Sequence, residues 1–408
     1  MLSNFPQYIL LTYILLFPVI IFFGLEPIKY VLFISLCMVS SICFLKKRKL
    51  VVWKCWTVLI IVSYLFIPLF LGIFNGFEKE VAQEGIAIFS FIAFVVVVFV
   101  LHDNGFINII KIQNSISLMF YLYIFCEILL MLTYFQIGIP DFITDIMQKT
   151  YTRMRPETSV TGGFGGWLPR FNLPTDIFVS TLYLLYVKRN NGGNIFIWFV
   201  VLLFTILTFS RFRMASFLCI SLLALSYSKF LVNLTLSKLI KIFVTLFIIY
   251  IMVLHFFIDL GIDFDTIYYV LDMRINGSDA VGSDMIREFQ LEVLLQNILE
   301  NPLLGIGLGG YDPICLRSYE NKWMYELGYL MLTMQIGIVG LILSYFNFFV
   351  YFVRKTYINA SKDMWITISV AYGMWFVEAG LQGALAVGSN LGLLVVCIYF
   401  LTAKIKNV

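Results

Sequence analysis

Residues 84–101 read EGIAIFSFIAFVVVVFVL, a stretch whose only charged residue is its first. A bilayer core about 30 Å thick needs roughly 20 apolar helical residues to cross it, and this segment meets that requirement. The whole chain has the same character, because 61% of its 408 residues are hydrophobic and only 13% are charged. A soluble domain is usually about 25% charged. The composition therefore predicts an integral membrane protein without a separate soluble domain.

Eleven further segments are similarly apolar, which predicts about 12 transmembrane helices within a single transmembrane domain, residues 1–408. The predicted spans are 7–23, 28–45, 55–74, 84–101, 115–136, 175–187, 194–209, 214–228, 239–256, 326–351, 364–380 and 385–403. These are continuous apolar runs, and the alternating pattern of a transmembrane β-barrel is absent from them. The predicted fold class is therefore an all-α polytopic membrane protein.

Lysine and arginine residues in the short loops predict the orientation, because cytoplasmic loops carry an excess of them. The cluster Lys46–Lys49 follows the second span and is assigned to the cytoplasm. Strict alternation then places both termini in the cytoplasm and most acidic residues on the opposite side. Two long polar loops, 137–174 and 257–325, fall on that opposite side. The second contains a predicted amphipathic helix, Asp284 to Leu299, which Asn301-Pro302 would end.

The remaining composition excludes several other classes of protein. The net charge of +4 is too small for a dedicated nucleic-acid binder. The chain has only two histidines and no CxxC motif, so neither a metal site nor a disulfide framework is expected. The first apolar stretch lacks a basic segment before it, which favours a first transmembrane span over a cleaved signal peptide.

Arginines on the predicted outer side are the first candidates for chemistry. Arg211 and Arg213 lie in a very short turn between two apolar helices, where the positive-inside rule disfavours them. They either extend to lipid phosphates at the membrane edge or clamp a bound phosphate through the planar guanidinium group. The outer loops add Arg153, Arg155, Arg170, Arg274, Arg287 and Arg317. Several converging arginines beside a bilayer suit a lipid-linked phosphate or pyrophosphate.

The segment Asn301–Tyr311, NPLLGIGLGGY, is rich in glycine. Gly305, Gly307 and Gly310 match the spacing GxGxxG, but a dinucleotide site needs that motif between a strand and a helix. Here a predicted helix and Asn301-Pro302 precede the motif, so a nucleotide site is rejected. Glycines permit a close approach of the backbone. The segment therefore either packs tightly against the membrane surface or contacts a substrate.

Glu326 opens the tenth predicted span, and two roles are open for its carboxylate. A negative charge at a helix N-terminus is stabilised by the helix dipole, so Glu326 could serve the helix alone. In an enzyme, the same carboxylate could act as a general base or orient an acceptor hydroxyl group.

Three local patterns, in their order along the chain, resemble the O-antigen polymerase and ligase superfamily, and Wzy-type polymerases in particular. They are Thr208-Phe209-Ser210-Arg211 at the outer end of a mid-chain span, Arg287 followed by Asn301-Pro302-Leu303-Leu304-Gly305-Ile306-Gly307, and Glu326-Leu327-Gly328-Tyr329-Leu330 leading to Gln335-Ile336-Gly337-Ile338-Val339-Gly340-Leu341. The resemblance covers residues 205–345 in detail and the rest of the chain in architecture. In ligases the third pattern usually begins with His-Asn, at the position that Glu326 occupies here. The acid in place of the histidine favours a polymerase.

The resemblance implies a GT-C-like helical bundle in the bacterial inner membrane, with two large periplasmic loops. Its implied activity is the polymerisation of undecaprenyl-pyrophosphate-linked repeat units at the periplasmic face, without a cofactor. The implied partners are the lipid-linked glycan donor and acceptor, the lipid bilayer, a chain-length regulator and a flippase, and no nucleic acid. Two alternatives stay open: an O-antigen ligase that transfers glycan to the lipid A core, and a flippase or other transporter of lipid-linked oligosaccharides.

The chemistry of this reaction assigns roles to the candidate residues. Arg211 and Arg287 are expected to stabilise the pyrophosphate leaving group, and Glu326 is expected to act on the acceptor hydroxyl group. Asp284 is a second candidate for the role of Glu326. Further substrate contacts are expected from Arg170, Arg213, Arg274, Asp284, Tyr325, Gly305 and Gly307.

Overall fold

The computed structural model describes residues 4–23, 25–47, 56–134, 155–156, 169–170, 176–189, 195–207, 211–227, 278–316, 319, 321–381 and 389–404. The helices are α1 (Phe5–Phe22), α2 (Glu26–Lys47), α3 (Trp56–Phe74), α4 (Glu78–Asp103), α5 (Ile109–Tyr134), α6 (Asp176–Arg189), α7 (Ile195–Leu207), α8 (Arg211–Tyr227), α9 (Ser278–Glu300), α10 (Gly328–Gly340), α11 (Asn347–Asn359), α12 (Trp365–Leu381) and α13 (Ser389–Thr402). A π-helical segment, Leu341–Phe346, joins α10 to α11, and a 3-10 turn, Lys362–Met364, precedes α12. Strand β1 (Arg155–Pro156) pairs antiparallel with β2 (Pro169–Arg170).

Except for α9, which covers the predicted amphipathic helix, these helices lie on the predicted apolar segments. The predicted span 239–256 falls outside the described residues. Within the described part, five helical stretches are long and apolar enough to cross a membrane: Phe5–Phe22, Glu78–Asp103, Ile109–Leu129, Gly328–Asn359 and Lys362–Leu381. Shorter apolar helices accompany them. The described chain is therefore all-α in its main elements and indicates a multi-pass membrane protein.

The chain divides into two compact units. The first contains residues 1–153, 173–185 and 287–408, and the second contains residues 154–172 and 186–286. In the second unit α7 packs beside α8, and the indole N–H of Trp198 donates a hydrogen bond to Ser221 Oγ at 2.9 Å.

Aromatic side chains hold the helices of the first unit together. Helix α1 packs along α2 and α5, and α4 packs along α13. The rings of Phe22 and Tyr123 join α1 to α5 with their centroids 5.2 Å apart, and those of Phe99 and Tyr399 join α4 to α13 at 4.5 Å. Because lipid tails are as apolar as these side chains, close packing rather than exclusion of water must hold such helices together.

Polar contacts tie several helix ends together at one end of the first unit. Lys355 Nζ of α11 donates to Oδ2 of Asp103, the last residue of α4, at 2.6 Å. The N–H of Lys404 donates to the carbonyl oxygen of Asn359 at 2.9 Å, which places the chain after α13 against the end of α11. The ends of α4, α11 and α13 therefore lie close together.

At the opposite end of α4, the predicted span 326–351 differs from a single straight helix. Gly337 has φ +69° and ψ 170°, which kinks α10. The N–H groups of Ile338 and Val339, which follow the kink, donate to the carbonyl oxygens of Pro302 and Leu303 at 2.9 and 3.3 Å. The carbonyl oxygens of the non-helical residues Pro302 and Leu303 thus replace the helical acceptors that the kink removes. This satisfies the requirement that buried backbone groups be paired.

Substitution of Gly307 by alanine tests the packing at this end. Gly307 has φ +101°, and an added Cβ would lie 2.2 Å from the backbone nitrogen of Gly72 in α3. We expect Gly307→Ala to reduce the free energy of unfolding by about 2 kcal/mol or more, because left-handed strain adds to overlap with the α3 backbone. Thermal unfolding of the purified protein in detergent measures this change.

Gly76→Ala is the matched control for that substitution. Gly76 also has a positive φ, +85°, but nothing lies within 4 Å of an added Cβ. Its replacement therefore reports backbone strain alone and should lower the melting temperature less. Equal decreases for the two variants would contradict the packing role of Gly307.

Candidate functional site

The candidate site is built from α9 and the segment that connects it to α10. Helix α9 includes the helix predicted at Asp284–Leu299 and ends at Glu300, immediately before Asn301-Pro302. Residues 301–310, called the glycine loop below, follow it. The chain then returns to α10 through Tyr325 and Glu326. Residues from one continuous segment thus supply most of the site.

Two of the three predicted catalytic residues lie in direct contact. Arg287 Nε donates to Glu326 Oε2 at 2.8 Å, which forms an ion pair between α9 and the residues before α10. The side chains are 38% and 19% exposed, respectively, so both groups remain accessible from solvent. In a partly exposed pair, most of the electrostatic energy is screened. The pair is therefore better placed to contact a ligand than to stabilise the fold.

Gln290 fixes the backbone of Glu326. Its side chain is buried, and its Oε1 accepts the N–H of Glu326 at 3.1 Å. Gln290 lies one helical turn from Arg287 on α9, so the same helix positions both the backbone and the carboxylate of Glu326. The two contacts together limit the movement of Glu326 relative to α9.

A second set of hydrogen bonds places Tyr325 beside the ion pair. The hydroxyl of Tyr325 accepts the N–H of Asp312 at 2.8 Å, and Asn297 Nδ2 donates to Asp312 Oδ2 at 2.7 Å. Burial raises the pKa of Tyr325 to about 12, so its hydroxyl group stays protonated at neutral pH. Tyr325 is completely buried. Tyr325 therefore stabilises the segment that carries Glu326 and does not contribute to the surface of the site.

The glycine loop uses its backbone N–H groups within the protein. Ile306 and Gly307 donate to the carbonyl oxygens of Met334 and Gln335 in α10, each at 2.9 Å. Leu308 donates to the carbonyl oxygen of Pro68 in α3, also at 2.9 Å. At Gly305, φ is +71° and an added Cβ would lie 2.5 Å from the Gln335 carbonyl oxygen. The geometry therefore favours the packing role of Gly305 and Gly307, one of the two roles that the sequence left open.

Glu84 holds the far side of the glycine loop. This fully buried residue of α4 accepts the N–H of Gly309 on its Oε2 at 2.5 Å. Gln335 Nε2 donates to the carbonyl oxygens of Gly310 and Trp323 at 3.1 and 3.3 Å. Side chains from α4 and α10 thus fix the adjacent loop residues Gly309 and Gly310.

A cation lies close to the other end of the connecting segment. Lys322 Nζ is 5.1 Å from the centre of the Tyr311 ring and 3.8 Å from Glu80 Oε1. A hydrogen bond to the hydroxyl group of Tyr311 raises the pKa of Lys322, and attraction to Tyr311 and Glu80 adds to this effect. The ring of Phe77 packs against Tyr311 at 5.3 Å. The segment is therefore also joined to the connection between α3 and α4.

The other predicted site residues lie elsewhere along the chain. Arg211 is the first residue of α8 and Arg213 is buried in the same helix, both in the second unit. Arg170 belongs to β2, where its backbone pairs with that of Arg155. Asp284 lies in the first part of α9. Arg274 falls outside the described residues.

Several residues of the site were missed at the level of sequence. They are Glu84, Gln290, Asn297, Asp312 and Gln335. One signal was available, because Arg287, Gln290, Leu294 and Asn297 have the spacing of one helical face, and Gln290 and Leu294 are indeed buried. No comparable signal connects Glu84 with Gly309, which lie 225 residues apart. Among the described residues, no group of three or more His, Cys, Asp or Glu could hold a metal ion.

Two substitutions compare the contribution of the buried Tyr325 to the fold with that of the partly exposed Arg287. Tyr325→Phe removes the acceptor of the Asp312 N–H, and we expect a loss of about 1–3 kcal/mol in the free energy of unfolding. Arg287→Ala should cost about 1 kcal/mol or less, because its ion pair is partly exposed. Thermal unfolding in detergent compares them. A larger decrease for Arg287→Ala would make the ion pair structural.

The Arg287–Glu326 pair has the clearest chemical use among the described groups. The guanidinium group can bind a phosphate oxygen through charge-assisted hydrogen bonds, and a carboxylate can accept a proton from a hydroxyl group. Neither a family model nor a curated protein matches the sequence.

Proposed function

We propose that this protein is a polysaccharide polymerase of the bacterial inner membrane. It joins undecaprenyl-pyrophosphate-linked oligosaccharide repeat units into O-antigen or a related surface polysaccharide. The single observation that carries the proposal is the 2.8 Å contact between Arg287 and Glu326. It brings an anion-binding group and a proton acceptor together next to a set of apolar helices, which is what transfer from a lipid-linked pyrophosphate requires.

The proposed reaction is an inverting glycosyl transfer. The hydroxyl oxygen at the non-reducing end of one lipid-linked unit attacks the anomeric carbon of the growing chain. The bond from that carbon to the pyrophosphate oxygen breaks, and the lipid pyrophosphate leaves with the electron pair. The hydroxyl proton passes to the carboxylate of Glu326. Arg287 and Arg211 stabilise the negative charge that develops on the leaving group.

The Arg287–Glu326 contact is compatible with these two roles, proton acceptance by Glu326 and charge stabilisation by Arg287. Arg287 carries several N–H donors, so its guanidinium group can contact Glu326 and a phosphate oxygen at the same time. Gln290 holds the Glu326 backbone, which keeps the carboxylate near the guanidinium group. A base fixed beside the site of the leaving group lowers the entropic cost of bringing the reacting groups together.

The wider architecture of the proposal follows the family resemblance. It comprises about 12 spans in a GT-C-like bundle, cytoplasmic termini, and catalysis on the periplasmic side. Arg170, Arg213, Arg274 and Asp284 are proposed to contact the substrate from other parts of the chain. Donor and acceptor are both lipid-linked glycans. A chain-length regulator and a flippase are proposed to work with the enzyme.

A complementation assay tests the proposed function. In a strain that lacks the gene, we expect surface polysaccharide limited to one repeat unit, and the wild-type gene should restore long chains. Arg287→Ala and Arg211→Ala should each reduce the amount of polymer at least about a hundredfold, the typical loss when one stabilising group for developing charge is removed. Gel profiles of the polysaccharide measure chain length, and immunoblots of membranes verify insertion.

Arg354→Ala is the matched control. Arg354 is an exposed arginine of α11. It is next in sequence to Lys355, which contacts Asp103, whereas Glu326 precedes the start of α10. Its loss should leave the ladder unchanged. Normal ladders from membrane-inserted Arg287→Ala would contradict the proposal. Unattached long polymer in the deletion strain would identify a ligase, and repeat units retained on the cytoplasmic leaflet would identify a transporter.

A further inference from the structure

A row of exposed leucines begins next to Arg287 on α9. Leu291, Leu295 and Leu299 follow Arg287 at intervals of four residues, which places them along one edge of the helix. Their exposed fractions are 39%, 41% and 78%, and Leu303, at the same interval in the glycine loop, is 63% exposed. The four leucines are called the leucine row below. The guanidinium group of Arg287 thus lies at one end of the leucine row.

The leucine row runs in the same direction as α10. At its upper end, Arg287 contacts Glu326, which precedes the first residue of α10. At its lower end, the carbonyl oxygen of Leu303 accepts the N–H of Val339, beyond the kink at Gly337. Gly337 lies about 14 Å along α10 from its first residue. The row therefore descends from the ion pair along the apolar stretch Gly328–Asn359.

Charged residues mark the border of the leucine row. Glu288 and Glu292 are exposed on the adjacent strip of α9, and the buried side of the helix carries Gln290 and Leu294. With about 100° between successive residues, the leucines lie between the packed face and the acidic strip. This arrangement is typical of a helix at a membrane surface, where the leucines would face hydrocarbon and the glutamates would face water.

We propose that the leucine row is the docking surface for the polyisoprenoid chain of a lipid diphosphate whose headgroup lies at Arg287. The inference rests on the proposed function and adds the recognition of the lipid chain to it. Charge complementarity favours this occupant, because the cation and the aliphatic row together match an amphiphile with an anionic head and a long branched tail. The row ends at Leu303, whose carbonyl oxygen accepts the N–H of Val339, so a tail that follows the row is directed toward the apolar stretch Gly328–Asn359.

Photo-crosslinking of the wild-type full-length protein tests this proposal without any substitution. The protein is reconstituted in phosphatidylethanolamine–phosphatidylglycerol nanodiscs with an undecaprenyl diphosphate that carries a photoreactive group in its chain. We expect crosslinks at residues 291–303 that unlabelled undecaprenyl diphosphate removes and added phosphatidylglycerol does not. Crosslinks that either lipid removes equally would mean ordinary bilayer contact and would overturn the proposal.

Binding measurements on variants supply the quantitative test. Leu291→Asn combined with Leu295→Asn should weaken the binding of undecaprenyl diphosphate by roughly tenfold, since two apolar contacts are lost. Binding of inorganic pyrophosphate should not change. Leu118→Asn, at a leucine of α5 that is 50% exposed, is the matched control and should change neither affinity.

The outcomes separate this inference from the proposed function. If undecaprenyl diphosphate binds in a manner that requires Arg287 but not the leucine row, the inference fails and the proposed function stands. If Leu118→Asn weakens binding as much as the double variant does, the effect is a general one of the apolar surface and the inference fails. If the wild-type protein binds neither undecaprenyl diphosphate nor inorganic pyrophosphate, both proposals fail.

Discussion

The pairing of backbone N–H and C=O groups next to an apolar environment is the constraint on which the rest of the site depends. An unpaired backbone group in such a place costs several kcal/mol, so an irregular loop there needs partners from its surroundings. The glycine loop meets this need through the carbonyl oxygens of Pro68, Met334 and Gln335 and the side-chain Oε2 of Glu84. Glycine at 305, 307 and 309 lets the backbone approach those helices closely enough. The loop is consequently an extension of the helical packing.

The position of the Arg287–Glu326 pair depends on the glycine loop. Because the glycine loop is fixed to α3, α4 and α10, the end of α9 is fixed with it. Gln290 and Asn297 then join α9 to the returning chain at Glu326 and Asp312. The functional groups are thus partly exposed, whereas the side chain of Gln290, which positions Glu326, is buried. This separation leaves the pair accessible from solvent.

Sequence reasoning predicted the features that depend on local pattern. The apolar segments became helices because their length and composition leave few alternatives, and α9 ended before Asn301-Pro302 because proline cannot continue a helix. The sequence motifs also singled out Arg287 and Glu326, which are 39 residues apart and in contact. The kink at Gly337 was not predicted, since a glycine within an apolar run is compatible with a straight helix. The contact of Glu84 with Gly309 depends on the packing of distant helices, which no local spacing encodes. The roles of Arg211, Arg213, Arg170, Arg274 and Asp284 stay predictions.

The π-helical segment Leu341–Phe346 has a consequence for how α10 and α11 behave together. A π turn holds one residue more than an α turn, so it shifts the angular phase of every side chain that follows it. The aromatic cluster beyond it, where Phe349 stacks on Trp375 of α12, depends on that phase. Relaxing the segment to a regular α-helix would rotate α11 by about a quarter turn and remove Lys355 from Asp103. The stretch from Gly328 to Asn359 contacts the glycine loop through Met334 and Gln335 and contacts Asp103 through Lys355, and the π segment sets the rotation of one contact relative to the other.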